Sequence, residues 1–398
     1  MGQLPYVKIE YGNGALGQAI ASADGLLCLV VVGAGAVASS FDLAKHYALR
    51  KYGDLENLGV TAENNPEIEK LVKDFYTEAQ EGTKVYLIGY PDTLTMSAIL
   101  DKNNPYARNV IESTNGEIRG LIITGKAKAN PTITAGLDSD LESAKLNAQA
   151  LGDWAAEVRF APIFTLIDGL SFSGDPEALT DMTKQAYNRV GVVIGDNSQG
   201  SANQALGLIA GRIAASPVQR NVGRVQDGAL NVLTMCAGDK IVELADVETI
   251  VGKGYITFRT FTGMSGYYIA DDPLATKLTD DYNQITRRRV IDKAYRIAYA
   301  VLIEKLLDEI PVNNDGTMIE TYARVFELAV ENAIVTNMTA NGELSTDPAD
   351  TTDRGVTCRV SRSTNVLATN RVEAELRVRP HGYGKYISVL LGFTVTQN

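Results

Sequence analysis

Cysteine, histidine and positive charge are all scarce in this chain, and each scarcity removes a class of function. Among 398 residues there are three cysteines and two histidines. Cys28, Cys236 and Cys358 are odd in number and lie in apolar surroundings, which excludes a disulfide framework and reads as reduced thiols. His46 and His381 stand at opposite ends of the chain, and neither has metal-ligand spacing to a cysteine or to the other histidine, so no metal site is expected. Lys and Arg number 37 against 48 Asp and Glu, a net charge of −11. That balance argues against nucleic acid as a partner, because such affinity rests on neutralising phosphate. Long apolar runs are missing as well. Leu26 to Val32 is far too short to span a bilayer, and the sequence does not open on a basic stretch followed by an apolar run, so neither membrane insertion nor a signal peptide is expected. Internal repeats and low-complexity tracts are also lacking.

What is present suits two or three ordered domains: 45% of residues are hydrophobic and 7% aromatic. Charge is unevenly placed. Residues 353 to 398 hold seven basic side chains against three acidic ones, +4, which leaves −15 for the remainder. Residues 54 to 82 hold eight acids against Lys70 and Lys73. Such segments are either solvated faces or complementary surfaces for a second copy.

Residues 1 to 24 read as a lone strand, with Val7, Ile9 and Tyr11 on one face, on a stem containing Gly12, Gly14 and Gly17. Leu26 to Val32 reads as a buried strand and Lys84 to Ile88 as another, with helices at Phe41 to Tyr52, Glu67 to Ala79, Thr95 to Leu100 and Ala107 to Ile111. From residue 118 strands alternate with helices: strands at Leu121 to Thr124, Ile163 to Ile167 and Val190 to Ile194, and helices at Ser139 to Glu157, Pro176 to Arg189 and Asn203 to Ala215. Repeated βα units imply an α/β fold with a mostly parallel sheet. Further strands are expected at Leu230 to Met235 and Ile241 to Leu244, and an aromatic pair of strands at Tyr255 to Ile269 turns through Gly263 to Gly266.

A rod of about 30 helical residues, roughly 45 Å long, is expected from Asp280 to Ile310. Thr279, Asp280 and Asp281 can cap its start, and the Asp271-Asp272 pair reads as turn and cap residues rather than an acid/base or metal pair. Its expected buried stripe is Ile291, Tyr295, Ala298, Leu302, Leu306 and Ile310. Arg289, Asp292, Lys293 and Arg296 would leave on the other side. Arg287, Arg288 and Arg289 spread around the rod, so at least one must face outward or find a partner. A second helix, Met318 to Asn332, is followed by strands at Gly355 to Ser361, Asn370 to Arg379 and Tyr386 to Thr396. The middle one turns Arg371, Glu373, Glu375, Arg377 and Arg379 to solvent. The last runs almost to the terminus with nothing after it to cover its edge.

Three loops invite an enzymatic reading. Gly33-Ala34-Gly35 follows a strand and fits a relaxed dinucleotide fingerprint, with Asp54 and Glu56 placed for a ribose contact, although small turns after buried strands have the same composition. Gly120 to Lys126 has phosphate-loop spacing, but its middle is an apolar strand whose amides are committed to neighbours. Gly195 to Ser201 lies where α/β sheets often bind ligands, and its composition equally suits a helix entry. Ser265 lacks the closing glycine of a nucleophile elbow. No catalytic residue and no cofactor are assigned.

Taken together, the segment from Ala215 to Val225, the stretch GYITFRTFTGMSGYYIADDP, the helix DDYNQITRRRVIDKAYRIAY and the closing VEAELRVRPHGYGKYISVLLGFTV resemble the tail sheath proteins of contractile phages and related contractile injection systems, closest to a bacteroidete-type branch. The resemblance covers residues 118 to 398 well and residues 1 to 117 in layout. It implies a multidomain α/β protein with a subtilisin-like sheath core lacking a catalytic triad, consistent with the absence of histidine between His46 and His381. It further implies an α+β C-terminal sheath domain with extended terminal arms. The domains then expected are an N-terminal arm (1–24), a small α/β domain (25–117), the middle sheath domain (118–253), the C-terminal sheath domain (254–381) and a C-terminal arm (382–398).

The function implied is a virion tail or injection-system sheath subunit, assembled in the bacterial cytoplasm without a nucleotide. It would stack as hexameric rings in a helical lattice around an inner tail tube protein, meet baseplate and tail terminator proteins, and contract. Its arm strands would join sheets of neighbouring copies through Val7, Ile9, Tyr11, Ile387, Val389, Leu391, Phe393 and Val395. Arg287, Arg288, Arg289, Arg377 and Arg379 are candidate contacts to the tube or to other subunits. Two other readings stay open at this point: a nucleotide-binding α/β enzyme using Gly33 and Gly35, and a different virion or baseplate component.

Overall fold

Strands in the first part of the chain form where apolar residues run on without alternation, because a parallel sheet covered by helices buries both faces of its strands. The computed structural model describes residues 23–391, in two compact units, Met1–Asp292 and Lys293–Asn398. In the first unit β1 (Leu27–Val32), β2 (His46–Leu49), β3 (Val85–Tyr90), β4 (Gly120–Thr124), β5 (Phe164–Asp168) and β6 (Val190–Val193) form one sheet in the order β2-β3-β1-β4-β5-β6. Only the β2–β3 pair is antiparallel. Every residue of β1, β4, β5 and β6 is buried.

Alternate residues of β1 serve two separate cores. Leu27, Leu29 and Val31 pack with α1 (Pro66–Glu78), and Cys28, Val30 and Val32 pack on the other side with α2 (Met96–Leu100), α3 (Pro105–Ser113) and α4 (Leu141–Glu157). The side of α1 also holds α5 (Leu206–Ala215), and the two helices meet through glycine. A β-carbon at Gly207 would lie 2.4 Å from the Leu71 carbonyl oxygen, and one at Gly211 would lie 2.3 Å from that of Phe75. Because β1 pairs with both β3 and β4, the sheet runs unbroken across the expected 117/118 domain boundary.

The outer edge of β6 is closed by residues from later in the chain. Ile256 N–H donates to the Val192 carbonyl, and Ile194 N–H donates to the Ile256 carbonyl, both at 2.9 Å. A hairpin follows, β7 (Phe258–Phe261) and β8 (Met264–Ile269), irregular in register between Arg259 and Phe261. Its turn passes through Gly263 at φ +82°, a left-handed conformation that glycine reaches without steric cost.

Several local expectations give way to tertiary pairing. The helix expected at Phe41 to Tyr52 is a turn leading into β2: Phe41 N–H bonds back to the Val37 carbonyl, Ala44 is left-handed, and Tyr47 sits opposite Leu87 of β3. The helix expected at Pro176 to Arg189 is two single 3₁₀ turns, each started by an aspartate. Asp175 accepts from Glu177 N–H and Asp181 from Thr183 N–H, with extended backbone at Leu179 between them. The strand expected at Leu230 to Met235 is replaced by a two-residue pairing of Cys236–Ala237 with Lys240–Ile241.

The expected rod is shorter: α6 (Ile285–Ile303) has 19 residues. Its start is held by Asp272 rather than Asp280 or Asp281. The Asp272 carboxylate accepts from Thr286 N–H at 2.9 Å and from the Thr286 hydroxyl, while its carbonyl accepts from Ile285 N–H at 2.9 Å. Asp280 instead caps a turn by accepting from Tyr282 N–H. Near the far end the chain leaves the helix before Leu307, which is left-handed. The buried face also differs from the expected stripe. Ala298 is buried as expected, with Ala294 beside it, but Arg288, Arg289 and Asp292 are buried too, whereas Tyr295 and Leu306 are exposed.

In the second unit α7 (Glu320–Asn337) covers a two-stranded antiparallel sheet of β9 (Val356–Val360) and β10 (Ala374–Val378). Val356, Cys358 and Val360 point inward, and Thr357 and Arg359 point out. Phe326 and Ala323 of α7 pack with Val360, and Val330 packs with Cys358. Two glutamates, Glu327 and Glu331, share the buried side of the helix at 3% and 4% exposure. Burial alone would raise the Glu327 carboxyl, but the Arg362 guanidinium, the Val360 amide and Arg324 outweigh it and hold it down at about 2.

Gly211→Ala is expected to destabilise the protein by about 1–2 kcal/mol, because the methyl meets backbone and its overpacking exceeds the helical gain of alanine. A raised or unchanged melting temperature would contradict this packing. Glu327, with its folded pKa depressed, contributes stability that is complete above the ordinary glutamate value and lost as pH falls towards 2. Glu327→Gln should therefore cost about 1–3 kcal/mol at pH 7, discounted for the partly exposed Arg362. In melts taken at decreasing pH the gap to the parent should close.

Candidate functional site

Two places gather groups that the fold alone does not require. The first is the C-terminal end of the parallel strands, where ligands of α/β sheets usually sit. Asp168, the last residue of β5, is fully buried. It accepts from the Thr124 hydroxyl at 2.5 Å, Gln204 N–H at 3.1 Å and the Asn203 side-chain amide at 3.3 Å. Asn203 also donates to the Gly125 carbonyl, and Gln204 Oε1 accepts from Gly195 N–H at 2.6 Å. Beside them Lys70 Nζ lies 2.8 Å from Asp74 and 2.7 Å from Asp196, and Asn197 donates to Asp74. Burial pushes the Asp168 carboxyl up to about 7, against the pull of its three neutral donors.

This cluster borders a cavity of about 180 Å³ lined by Lys70, Asp74, Thr124, Asn203 and Gln204. Its hydrogen bonds fasten the loop from Gly195 to Gln204 onto the ends of β4, β5 and β6, and its chemistry is that of a lock.

The dinucleotide reading of Gly33 and Gly35 is overturned by the same accounting. The Gly33 and Ala34 amides both donate to the Tyr90 carbonyl, at 2.8 and 2.9 Å, and Gly35 N–H donates to Asn65 Oδ1 at 2.7 Å. A turn and β2 follow where the fingerprint needs a helix, so the amides that would hold a pyrophosphate are already used. Gly120 to Thr124 is a central strand, as its apolar residues suggest. His46 stacks edge-on against Tyr86, and the three cysteines are free and buried. Among the described residues no group of three or more His, Cys, Asp or Glu is placed to hold a metal, and no helix is long and apolar enough to cross a membrane.

The arginines divide. Arg288 donates from Nε and Nη2 to Asp292 Oδ1, at 3.0 and 2.7 Å, and lies over the Tyr282 ring. Arg189 reaches the same carboxylate at 3.3 Å. Arg289 Nη2 donates to the Ser216 carbonyl at 2.8 Å. Both Arg288 and Arg289 are buried and have no surface to offer a tube or a neighbour, which corrects the expectation for them. Arg287 is half-buried and reaches Asn283. Arg377 and Arg379 are exposed, paired with Glu375 and Asp353.

The second place is the sheet of the second unit. Hydrogen-bonded pairs at its two ends set the parity: Ser361 N–H donates to the Glu373 carbonyl and Arg379 N–H to that of Gly355. With the register Val356↔Val378, Cys358↔Leu376 and Val360↔Ala374, these three pairs turn their backbone groups outward on both edges. On β9 two of the three outward amides are met by side chains: Cys358 N–H donates to Glu331 Oε1 at 3.0 Å and Val360 N–H to Glu327 Oε1 at 2.9 Å. On β10 the outward groups of Ala374, Leu376 and Val378 have no partner among the described residues.

Of the expected arm residues, Val7, Ile9, Tyr11, Phe393 and Val395 lie outside the described residues. Ile387, Val389 and Leu391 lie within them, at 84%, 78% and 92% exposure, in a segment that is not a strand. Asp168, Glu327 and Glu331 were not singled out by the sequence. The available signals were an acid closing an apolar strand and two glutamates four apart on the inward stripe of α7.

Family models for the N-terminal and C-terminal domains of DUF2586 match residues 4–273 and 281–398. No curated protein sequence matches. The fold is that of solved structures from contractile injection systems. A chain of the anti-feeding prophage (AFP) baseplate, 6-fold symmetrised, aligns with TM-score 0.63 at 15% identity over 100% of both chains. A chain of the PVC sheath complex of an extracellular contractile injection system in the contracted state aligns at 0.61 and 16%, over 98% of both. One from the contracted AFP helical sheath aligns at 0.61 and 17%, over 99% of both.

Because the folded pKa of Asp168 is raised, its stabilising contribution is complete below the ordinary aspartate value and is lost as pH rises through 7. Asp168→Asn keeps an acceptor for Gln204 N–H and should flatten the fall in melting temperature between pH 5 and 8. Parallel profiles for parent and variant would contradict a buried, proton-holding Asp168.

Proposed function

This chain belongs to the DUF2586 family, and we propose that it is the structural subunit of a contractile sheath, polymerising with its own copies as stacked six-fold rings around an inner tube. The mixed α/β fold, matched end to end by chains of sheath and baseplate assemblies, supports a structural role without catalysis. The observation that carries the reading lies in the second unit: a strand edge without a strand, and an apolar segment without a sheet. Among the described residues the outward backbone groups of Ala374, Leu376 and Val378 have no partner, and Tyr386 to Leu391 is almost wholly exposed and apolar. An exposed edge of this kind is a template for a strand from another chain.

On this reading the C-terminal arm of one copy adds to the sheet of a neighbour, and the N-terminal arm does likewise. The arms keep the lattice joined while rigid units change their packing during contraction, and the energy released resides in contacts between copies. Main-chain pairing suits that task, since it tolerates a change in the angle between units better than an interlocked side-chain interface. Arg377 and Arg379, on the exposed face beside the open edge, remain candidates for contacts with a neighbour or the tube. A baseplate subunit is the second reading, favoured by the source of the first solved structure above; such a subunit would stop at a ring, whereas a sheath subunit continues into tubes.

Deleting residues 386–398 should leave the melting temperature of the chain within about 2 °C, the shift expected from losing well under 1 kcal/mol of internal contact. The same deletion should abolish the ribbed tubes that the full chain forms under the electron microscope. Tubes from the truncated chain would overturn the proposal, as would a full-length chain that stays monomeric at all concentrations.

A further inference from the structure

We infer that the sheet of the second unit accepts a partner strand on its β10 edge alone, because Glu327 and Glu331 occupy the β9 edge as a side-chain substitute for a strand. The inference rests on the strand-exchange reading above and adds which edge is used and what selects it.

A β-strand presents alternating amides and carbonyls at an edge, and a second strand can add only where these are free. On β9 the two outward amides in reach, those of Cys358 and Val360, are bonded to carboxylates. The Val360 carbonyl accepts from Arg362 Nη1 at 2.6 Å, so an acceptor on that edge is taken as well. The carboxylates are themselves fixed. Glu327 lies 2.5 Å from Arg362 and 3.0 Å from Arg324, and Glu331 lies 3.4 Å from Arg354. A strand arriving at β9 would have to displace two buried glutamates and their arginines, leaving charges without partners. At β10 no bond among the described residues has to be displaced.

The occupant that fits is the segment Tyr386 to Leu391 of a second copy. Val372, Leu376 and Val378 are half-buried, leaving an apolar flank beside the open edge. Ile387, Val389 and Leu391 alternate with the same period and would lie along that flank, placing Ser388 on the charged outer face with Glu375 and Arg377.

The test mixes full-length chains carrying single added cysteines and traps disulfides under mild oxidation. Ser388→Cys is paired either with Glu375→Cys or Arg377→Cys on β10, or with Thr357→Cys or Arg359→Cys on β9. An added strand lies about 5 Å from β10 and about 10 Å from β9, beyond disulfide reach. Trapping at β10 is expected to exceed that at β9 by about tenfold or more. With Glu327→Ala and Glu331→Ala together, trapping at β9 should rise to a comparable level, while the Gln pair, which keeps an acceptor oxygen, should retain the β10 preference. Equal trapping on both edges of the parent would overturn the inference, as would β10-only trapping in a folded Ala pair. Should the Ala pair fail to fold, the β10 to β9 ratio of the parent and the Gln pair decides the matter. Trapping at neither edge would refute strand exchange itself, and the inference with it.

Discussion

Backbone groups at the edges of sheets must be paired or exposed to water, and the two units meet that constraint in different ways. The first uses its own chain. Ile256 returns to β6 and closes that edge with main-chain bonds to Val192 and Ile194, while the short β2 ends the sheet on the other side with four residues. The second unit has two strands among its described residues, too few to bury an edge of its own. It closes one with the carboxylates of α7 and leaves the other open. On the proposed reading the open edge is what links the fold to assembly.

Buried carboxylates serve both units, with opposite electrostatic outcomes. Asp168 is surrounded by a hydroxyl and two amide donors, which carry no net charge, so desolvation prevails and its proton is held to about pH 7. Glu327 is also buried, yet a guanidinium at 2.5 Å reverses the sign and holds it ionised. The difference suits their positions. Asp168 locks a loop onto strand ends within one unit, where a neutral acid can still accept and donate. Glu327 must remain a strong acceptor if it is to stand in for a strand.

Much of the first unit was legible because its chemistry is local. The uninterrupted apolar runs of β1, β4, β5 and β6 and the three-and-four spacing of α1 and α4 left little choice of element. The failures share one cause. Phe41 to Tyr52 contains good helix formers, but Tyr47 and Leu49 gain more from pairing with β3, a partner nearly forty residues away that no local window sees. Arg288 and Asp292 are four apart, a spacing that makes an ion pair on any helix. Nothing in it says that this pair faces Arg189, in the turn before β6, and is buried. The edge chemistry was not legible locally: alternation at Tyr386 to Leu391 suggested a strand, which its described residues do not form, and the open edge of β10 required the parity of a register set by Gly355 and Ser361.

That parity bears on how such a fold persists at 15–17% identity with its structural relatives. An interface made by side chains must preserve complementary shapes on both partners. One made by adding a strand asks for unpaired main-chain groups on one copy and an alternating apolar segment on another, and most β-forming residues supply either. The demanding positions are then few, and they are not at the point of contact. On the proposed reading they are the residues that keep the wrong edge shut, Glu327 and Glu331 with Arg324, Arg354 and Arg362. On the proposed reading, selection for assembly acts through a buried hydrogen-bond network one strand away from the joint.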